Sequence, residues 1–201
     1  PVRWAGGRPA RWDVGVRFRL LGPMIVETDD GTPVQIRGRQ PRLMLEVLVA
    51  ALGRPVTADA LASVVWRERA PRGAATTLHS YVSRIRAALV LADGPVVHHD
   101  AAGYRLDVDP TAVDLAVFEE TVRDGERLIA GGDLRAGCDA LAAADRLVFG
   151  VPLVDLLDVP AMAAESQRLT ERHLAAREQR LRAELELGNH AQVVGDLQAL
   201  T

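Results

Sequence analysis

Between Thr76 and Arg86 the sequence holds hydroxyls at Thr76, Thr77, Ser80 and Ser83, an imidazole at His79 and guanidinium groups at Arg84 and Arg86. No carboxylate interrupts the run until Asp93. Such groups donate hydrogen bonds to base edges and to phosphate oxygens, and nothing among them repels a polyanion. That chemistry needs a scaffold presenting the donors on one side. At 100° per residue over about Arg72 to Leu91, Leu78, Tyr81, Val82, Ile85 and Leu89 fall on one face of a helix and pack inward. The opposite face carries Thr76, Ser80, Ser83 and Arg84, flanked by Arg72, His79 and Arg86. A helix that is merely solvated normally mixes in glutamate; this one can enter a major groove without carboxylates repelling the phosphates.

Other chemistries lack their residues. All 24 basic residues are arginine, which removes a Walker lysine, a Schiff base and a lysine general base. No two glycines are separated by one residue, so the dinucleotide fingerprint is absent, and there is neither G-x-S-x-G nor H-E-x-x-H. His98 and His99 project to opposite faces of a strand and are poor joint metal ligands. The single cysteine, Cys138, sits among Ala136, Ala140 and Leu141 and reads as a small buried residue. Asp155 and Asp158 have no companion acid or histidine and read as caps, and Trp66 reads as a core plug. No enzymatic activity, cofactor or metal site is expected. With aromatics at 4%, platforms that stack single-stranded bases are disfavoured too.

The surrounding elements can be placed from local signals. A composition of 48% hydrophobic and 25% charged residues is that of a globular chain. The longest apolar run, Val47 to Leu52, is far short of the roughly 20 residues of a membrane span, and residues 1–16 lack the apolar block of a secretion signal. Strands are expected at Arg17–Gly22 and Met24–Glu27, with Asp29-Asp30-Gly31 turning into a further strand at Pro33–Ile36. A helix carrying Leu43, Leu45, Val47, Leu48, Ala51 and Leu52 follows, then a short helix Ala58–Trp66 capped by Thr57. After the third helix, Val96–His99 and Tyr104–Val108 flank a turn at Asp100–Gly103 and read as a hairpin. Three helices and a hairpin are the order of a winged helix-turn-helix.

Beyond Asp109-Pro110 the pattern is wholly helical, with helices expected at Asp114–Ala130, Leu134–Val148 and Pro160–Leu187 and another after Gly188-Asn189. Aligning Gly132 with Gly188 pairs Ile129 with Leu185 and Asp133 with Asn189, a faint helical-hairpin repeat similar to a tetratricopeptide. The net charge of -3 is unevenly placed: residues 1–109 hold 15 arginines against 11 acids, residues 110–201 hold 9 against 16. Within Arg37 to Arg86 the count is 9 arginines against 3 acids, a density suited to phosphates.

Several segments together resemble the Streptomyces antibiotic regulatory protein family. They are Phe18-Arg19-Leu20-Leu21-Gly22-Pro23, Val64-Val65-Trp66 with Pro71, Thr77 through Leu89 with its S-Y-V-S-R-x-R core, and Gly103-Tyr104-Arg105-Leu106. The likeness continues through Asp114-Leu115 and Phe118 and covers about Arg17 to Thr201. Where the family usually has W-R-G, this chain has Val148-Phe149-Gly150, and Ala161-Met162 follow Pro160 where an aromatic is common.

The resemblance implies an α+β OmpR-type winged helix at 17–109, after an extension at 1–16, and an all-α, tetratricopeptide-like bacterial transcriptional activator domain at 110–201 that is expected to continue past Thr201. It implies a cytoplasmic, nucleoid-associated activator that binds direct repeats in double-stranded promoter DNA beside a second protomer. Such an activator recruits RNA polymerase holoenzyme to genes of antibiotic biosynthesis, with no membrane partner. The residues expected at DNA are Thr76, Thr77, His79, Ser80, Ser83 and Arg84 on the reading face, Arg39, Arg42, Arg72 and Arg86 at phosphates, and His99 and Arg105 on the hairpin. The alternative is a helical-repeat adaptor whose winged helix binds protein.

Overall fold

A computed structural model describes residues 15–67, 71, 73–90, 92, 94–190 and 193. Most of the extension at 1–16, the phosphate candidate Arg72 and nearly all of the final helix lie outside the described residues. The chain forms β1 (Val16–Arg19), β2 (Ile25–Thr28), α1 (Arg39–Ala50), α2 (Ala58–Trp66), α3 (Ala74–Val90), β3 (Val97–Asp100) and β4 (Gly103–Leu106), then α4 (Asp114–Ala130), α5 (Leu134–Asp145) and α6 (Pro160–Glu186). It is a winged helix followed by an all-α part. No helix among the described residues is long and apolar enough to cross a membrane.

Local chemistry accounts for four of the helix limits. The Thr57 hydroxyl accepts from Ala60 N and starts α2, and the Asp133 carboxylate accepts from Ala136 N and starts α5. Gly132 and Gly188, at φ 87° and 81°, end α4 and α6. In the first case Gly132 N and Asp133 N donate to Ile129 O and Leu128 O; in the second Gly188 N and Asn189 N donate to Leu185 O and Glu184 O. The two aligned glycines therefore share a helix stop, but the aligned Ile129 is half-buried against the core whereas Leu185 is exposed.

The expected strand at Pro33–Ile36 does not form. Val34 N donates to Val26 O, and Glu27 and Pro33 make a single bridge, but Pro33 has no N–H to continue a ladder. The hairpin is β1 with β2, in the register Phe18↔Val26. The inward face of α3 follows the periodicity: Leu78, Val82, Ile85 and Leu89 are buried, and Tyr81 is half-buried with its ring 6.0 Å from that of Trp66.

The winged helix and the helical part share one core, joined at the segment Leu20–Met24. Leu20 N and Leu21 N donate to the two carboxylate oxygens of Asp114 at 2.7 and 3.1 Å, and Met24 N donates to Asp155 Oδ2 at 3.2 Å. Leu20 O and Leu21 O accept from Leu153 N and Phe149 N at 2.9 and 3.0 Å. The Phe149 ring covers Gly22 and lies 4.1 Å beneath the Arg19 guanidinium, and Arg67 pairs with Asp158. Asp155 and Asp158, read from sequence as caps, are instead bonds across this joint, and Phe149 fills it.

Candidate nucleic-acid interface

Helix α3 is held from behind by its four buried residues, which leaves its far side free. Thr76, His79, Ser80, Ser83 and Arg84 are all exposed there, with Thr77 half-exposed at the edge. The Ser83 and Thr77 hydroxyls donate to their own helix, at His79 O and Gly73 O, so their lone pairs and not their protons face outward. Arg84 reaches back across Tyr81, with its guanidinium carbon 6.0 Å from that ring. No acidic side chain lies on α3.

The wing, β3 with β4, stands beside this helix. Its register pairs Val97 with Leu106, His98 with Arg105 and His99 with Tyr104. Tyr104 is buried and carries the wing's weight. Its backbone exchanges two 2.8 Å hydrogen bonds with Val56, making a third strand position from the loop between α1 and α2. Gly103, at φ 125°, permits that approach, because a Cβ there would overlap the Val56 carbonyl. Burial raises the Tyr104 hydroxyl's pKa, with the Arg86 charge opposing.

On the outer side, the ring of His99 stacks on Tyr104 at 4.2 Å and 16°, and His79 of α3 meets both rings edge-on, at 5.3 Å from His99 and 6.2 Å from Tyr104. Arg86 Nε and Nη2 both donate to Val97 O, at 2.9 and 2.6 Å. His98 turns the other way, with its Nε2 3.9 Å from Asp107. As the strand period requires, His98 and His99 do not converge, and no cluster of three metal-ligating side chains exists among the described residues.

The expected site residues thus divide into groups. Thr76, Thr77, Ser80, Ser83 and Arg84 form one outward face, and Arg105 is exposed on the wing. His79, His99 and Arg86 come together where the wing meets α3. Arg39 and Arg42 sit elsewhere, near the joint. Arg39 is exposed at the start of α1, in the cleft with Leu43, Trp66, Asp155 and Asp158. Arg42 is half-buried and its Nη2 bonds Met24 O. Tyr104 was missed as a site residue; its signal was the Gly103-Tyr104 pair opposite His99 in the expected hairpin.

Comparison with known proteins places this arrangement. Residues 31–106 match the family model described as "Transcriptional regulatory protein, C terminal", and residues 113–201 match "Bacterial transcriptional activator domain". Regulatory protein DnrI of Streptomyces peucetius is 32% identical over 194 residues, covering 92% of this chain and 71% of that protein. Transcriptional regulatory protein EmbR of Mycobacterium tuberculosis is 35% identical over 193 residues, covering 92% of this chain and 48% of its own length. A solved structure, "Mycobacterium tuberculosis EmbR in complex with low affinity phosphopeptide", superposes with a TM-score of 0.84 at 34% identity, over 92% of this chain and 50% of that one. With a winged helix, a helical part behind it and relatives that are regulators throughout, the chain belongs to the Streptomyces antibiotic regulatory protein family of transcriptional regulators.

Proposed function

We propose that the chain is a sequence-specific activator that binds double-stranded promoter DNA, with α3 in the major groove of one direct repeat and a second protomer on the next. The observation that carries this reading is the exposed face of α3, where hydroxyls and Arg84 stand with no carboxylate. Residues 17–109 are the DNA-binding part. Residues 110–201, with 9 arginines against 16 acids, are repelled by DNA at long range, so their role is after binding, in recruiting RNA polymerase holoenzyme. The regulated genes are those of secondary metabolism, and the protein acts in the cytoplasm at the nucleoid.

Binding to duplex DNA is expected to weaken with salt, log K falling linearly against log[salt] with a slope of about -0.9 per phosphate neutralised. Fluorescence anisotropy over a salt series measures it; no affinity at low salt returns the winged helix to the adaptor reading. Once footprinting of the promoters beside its gene has defined a site, replacing Arg84 by alanine, or Ser80 and Ser83 together, is expected to cost roughly 1–3 kcal/mol on that site. On mixed DNA the serine pair should change nothing. Equal losses on both duplexes would make α3 a phosphate clamp and not a reader.

A further inference from the structure

We propose that Arg86 is a positioning residue, which sets the wing against the recognition helix, and not a contact to DNA phosphate. The inference rests on the DNA-binding reading above for its consequence, but its geometry stands alone.

In an antiparallel pair, successive residues alternate between facing the partner strand and facing away from it. Asp107 N donates to Val96 O, so the 96–107 pair is hydrogen-bonded across the wing, and the next pair, Val97 with Leu106, is not. The carbonyl of Val97 therefore points away from β4, at the outer edge of the sheet. Val97 itself is wholly buried, and a buried carbonyl without a partner is costly. Arg86 supplies that partner with two of its donors at once. Two of the five guanidinium donors of this exposed residue are thereby committed to the wing backbone.

A second contact follows the same line. His79 and Arg86 are seven residues apart, two turns of α3, so they project along one stripe. His79 meets His99 at 5.3 Å, two residues along β3 from the carbonyl that Arg86 holds. The helix thus grips the strand at two points, one polar and one aromatic, while Thr76, Ser80, Ser83 and Arg84 are exposed. Arg105, exposed on β4 opposite His98, is carried by this clamp, so what it reaches on DNA depends on Arg86.

Two substitutions, Arg86→Met and Arg86→Lys, test the assignment. Lysine keeps a point charge for a phosphate but cannot give two donors to one carbonyl from a planar fork. In the free protein, hydrogen exchange of the Val97–Leu106 amides is expected to speed up about tenfold in both variants, with α3 and α6 still protected. Hairpin exchange unchanged in Arg86→Met would overturn the proposal, whether or not the protein binds DNA. On a short mixed-sequence duplex, both variants should bind about five- to tenfold more weakly, with the same salt slope as each other. A slope reduced by about 0.9 in Arg86→Met and restored in Arg86→Lys would make the residue a phosphate contact after all.

A double-mutant cycle completes the test. Arg105→Ala should cost less in the Arg86→Met background than alone, while Arg84→Ala should cost the same in both. Additivity with both partners would show general destabilisation and reject positioning. If the wild-type protein has no salt-dependent affinity for duplex DNA, the DNA-binding reading fails and the exchange measurement still decides the clamp.

Discussion

Replacing Glu46 by methionine is expected to stabilise the protein by on the order of 3 kcal/mol at pH 7 and to flatten its pH dependence. Glu46 lies in the middle of α1, wholly buried, and neither carboxylate oxygen has a hydrogen-bond partner. Burial, with Asp155 nearby and only partly offset by Arg42, pushes its carboxyl from 4.5 up to about 8. The folded protein therefore holds a proton that the unfolded chain releases near pH 4.5. Native stability falls as pH rises from about 4.5 to about 8, at about 1.4 kcal/mol per pH unit, and levels off above that. Methionine fills a similar volume with no charge to desolvate. Glutamine should gain less, because it leaves an unpartnered amide in the same place. Urea unfolding at pH 5, 7 and 8.5 measures the difference; a methionine variant with the wild-type slope would mean that Glu46 is solvated in the folded protein.

This residue also marks where sequence reasoning ran out. Elements that depend on neighbours in the chain were legible: α2 starts at its Thr57 cap, α4 spans Asp114–Ala130 as the periodicity predicts, and α3 buries the expected stripe. The exposed face of hydroxyls and Arg84 followed from that stripe by subtraction. Contacts between distant segments carry no local signature. Asp114 bonds Leu20 across 94 residues and Asp155 bonds Met24 across 131, so Asp155 and Asp158 read from sequence as caps. Glu46 sits in an otherwise apolar run and entered the sequence reading only as one of the three acids between Arg37 and Arg86. Arg42 and Arg86 show the same limit from the other side. Both were expected at phosphates as arginines in a basic segment, and nothing in the local sequence signals that each donates to a backbone carbonyl. The Pro33–Ile36 run failed for another reason, since β propensity without a second ladder partner leaves one bridge.

The joint suggests the other large effect, which concerns Asp114. Its carboxylate is 2% exposed and accepts from both Leu20 N and Leu21 N. Alanine leaves two buried N–H groups without an acceptor, at about 1–3 kcal/mol each, so a loss of about 3–5 kcal/mol is expected. Asparagine keeps one acceptor and should lose roughly half as much. The pH dependence separates a desolvated carboxyl from an ordinary ion pair. Desolvation outweighs both hydrogen bonds and the nearby Arg19 charge, and raises the Asp114 carboxyl from 3.8 to about 6. A raised carboxyl adds stability that is complete below about pH 4 and lost as pH climbs to about 6, so wild type should gain on the alanine variant in acid. The gap between them should widen by up to roughly 3 kcal/mol from pH 7 to pH 4. Were Asp114 held chiefly as an ion pair, its carboxyl would be depressed and the gap would close in acid instead. Because Leu20–Met24 also accepts from Phe149 N and Leu153 N and donates to Asp155, a fragment ending at Asp109 loses every one of these partners. Thermal melts of residues 1–109 should thus fall at least as far below the intact chain as those of Asp114→Ala, and a fragment as stable as the whole would show that the joint contributes nothing to the winged helix.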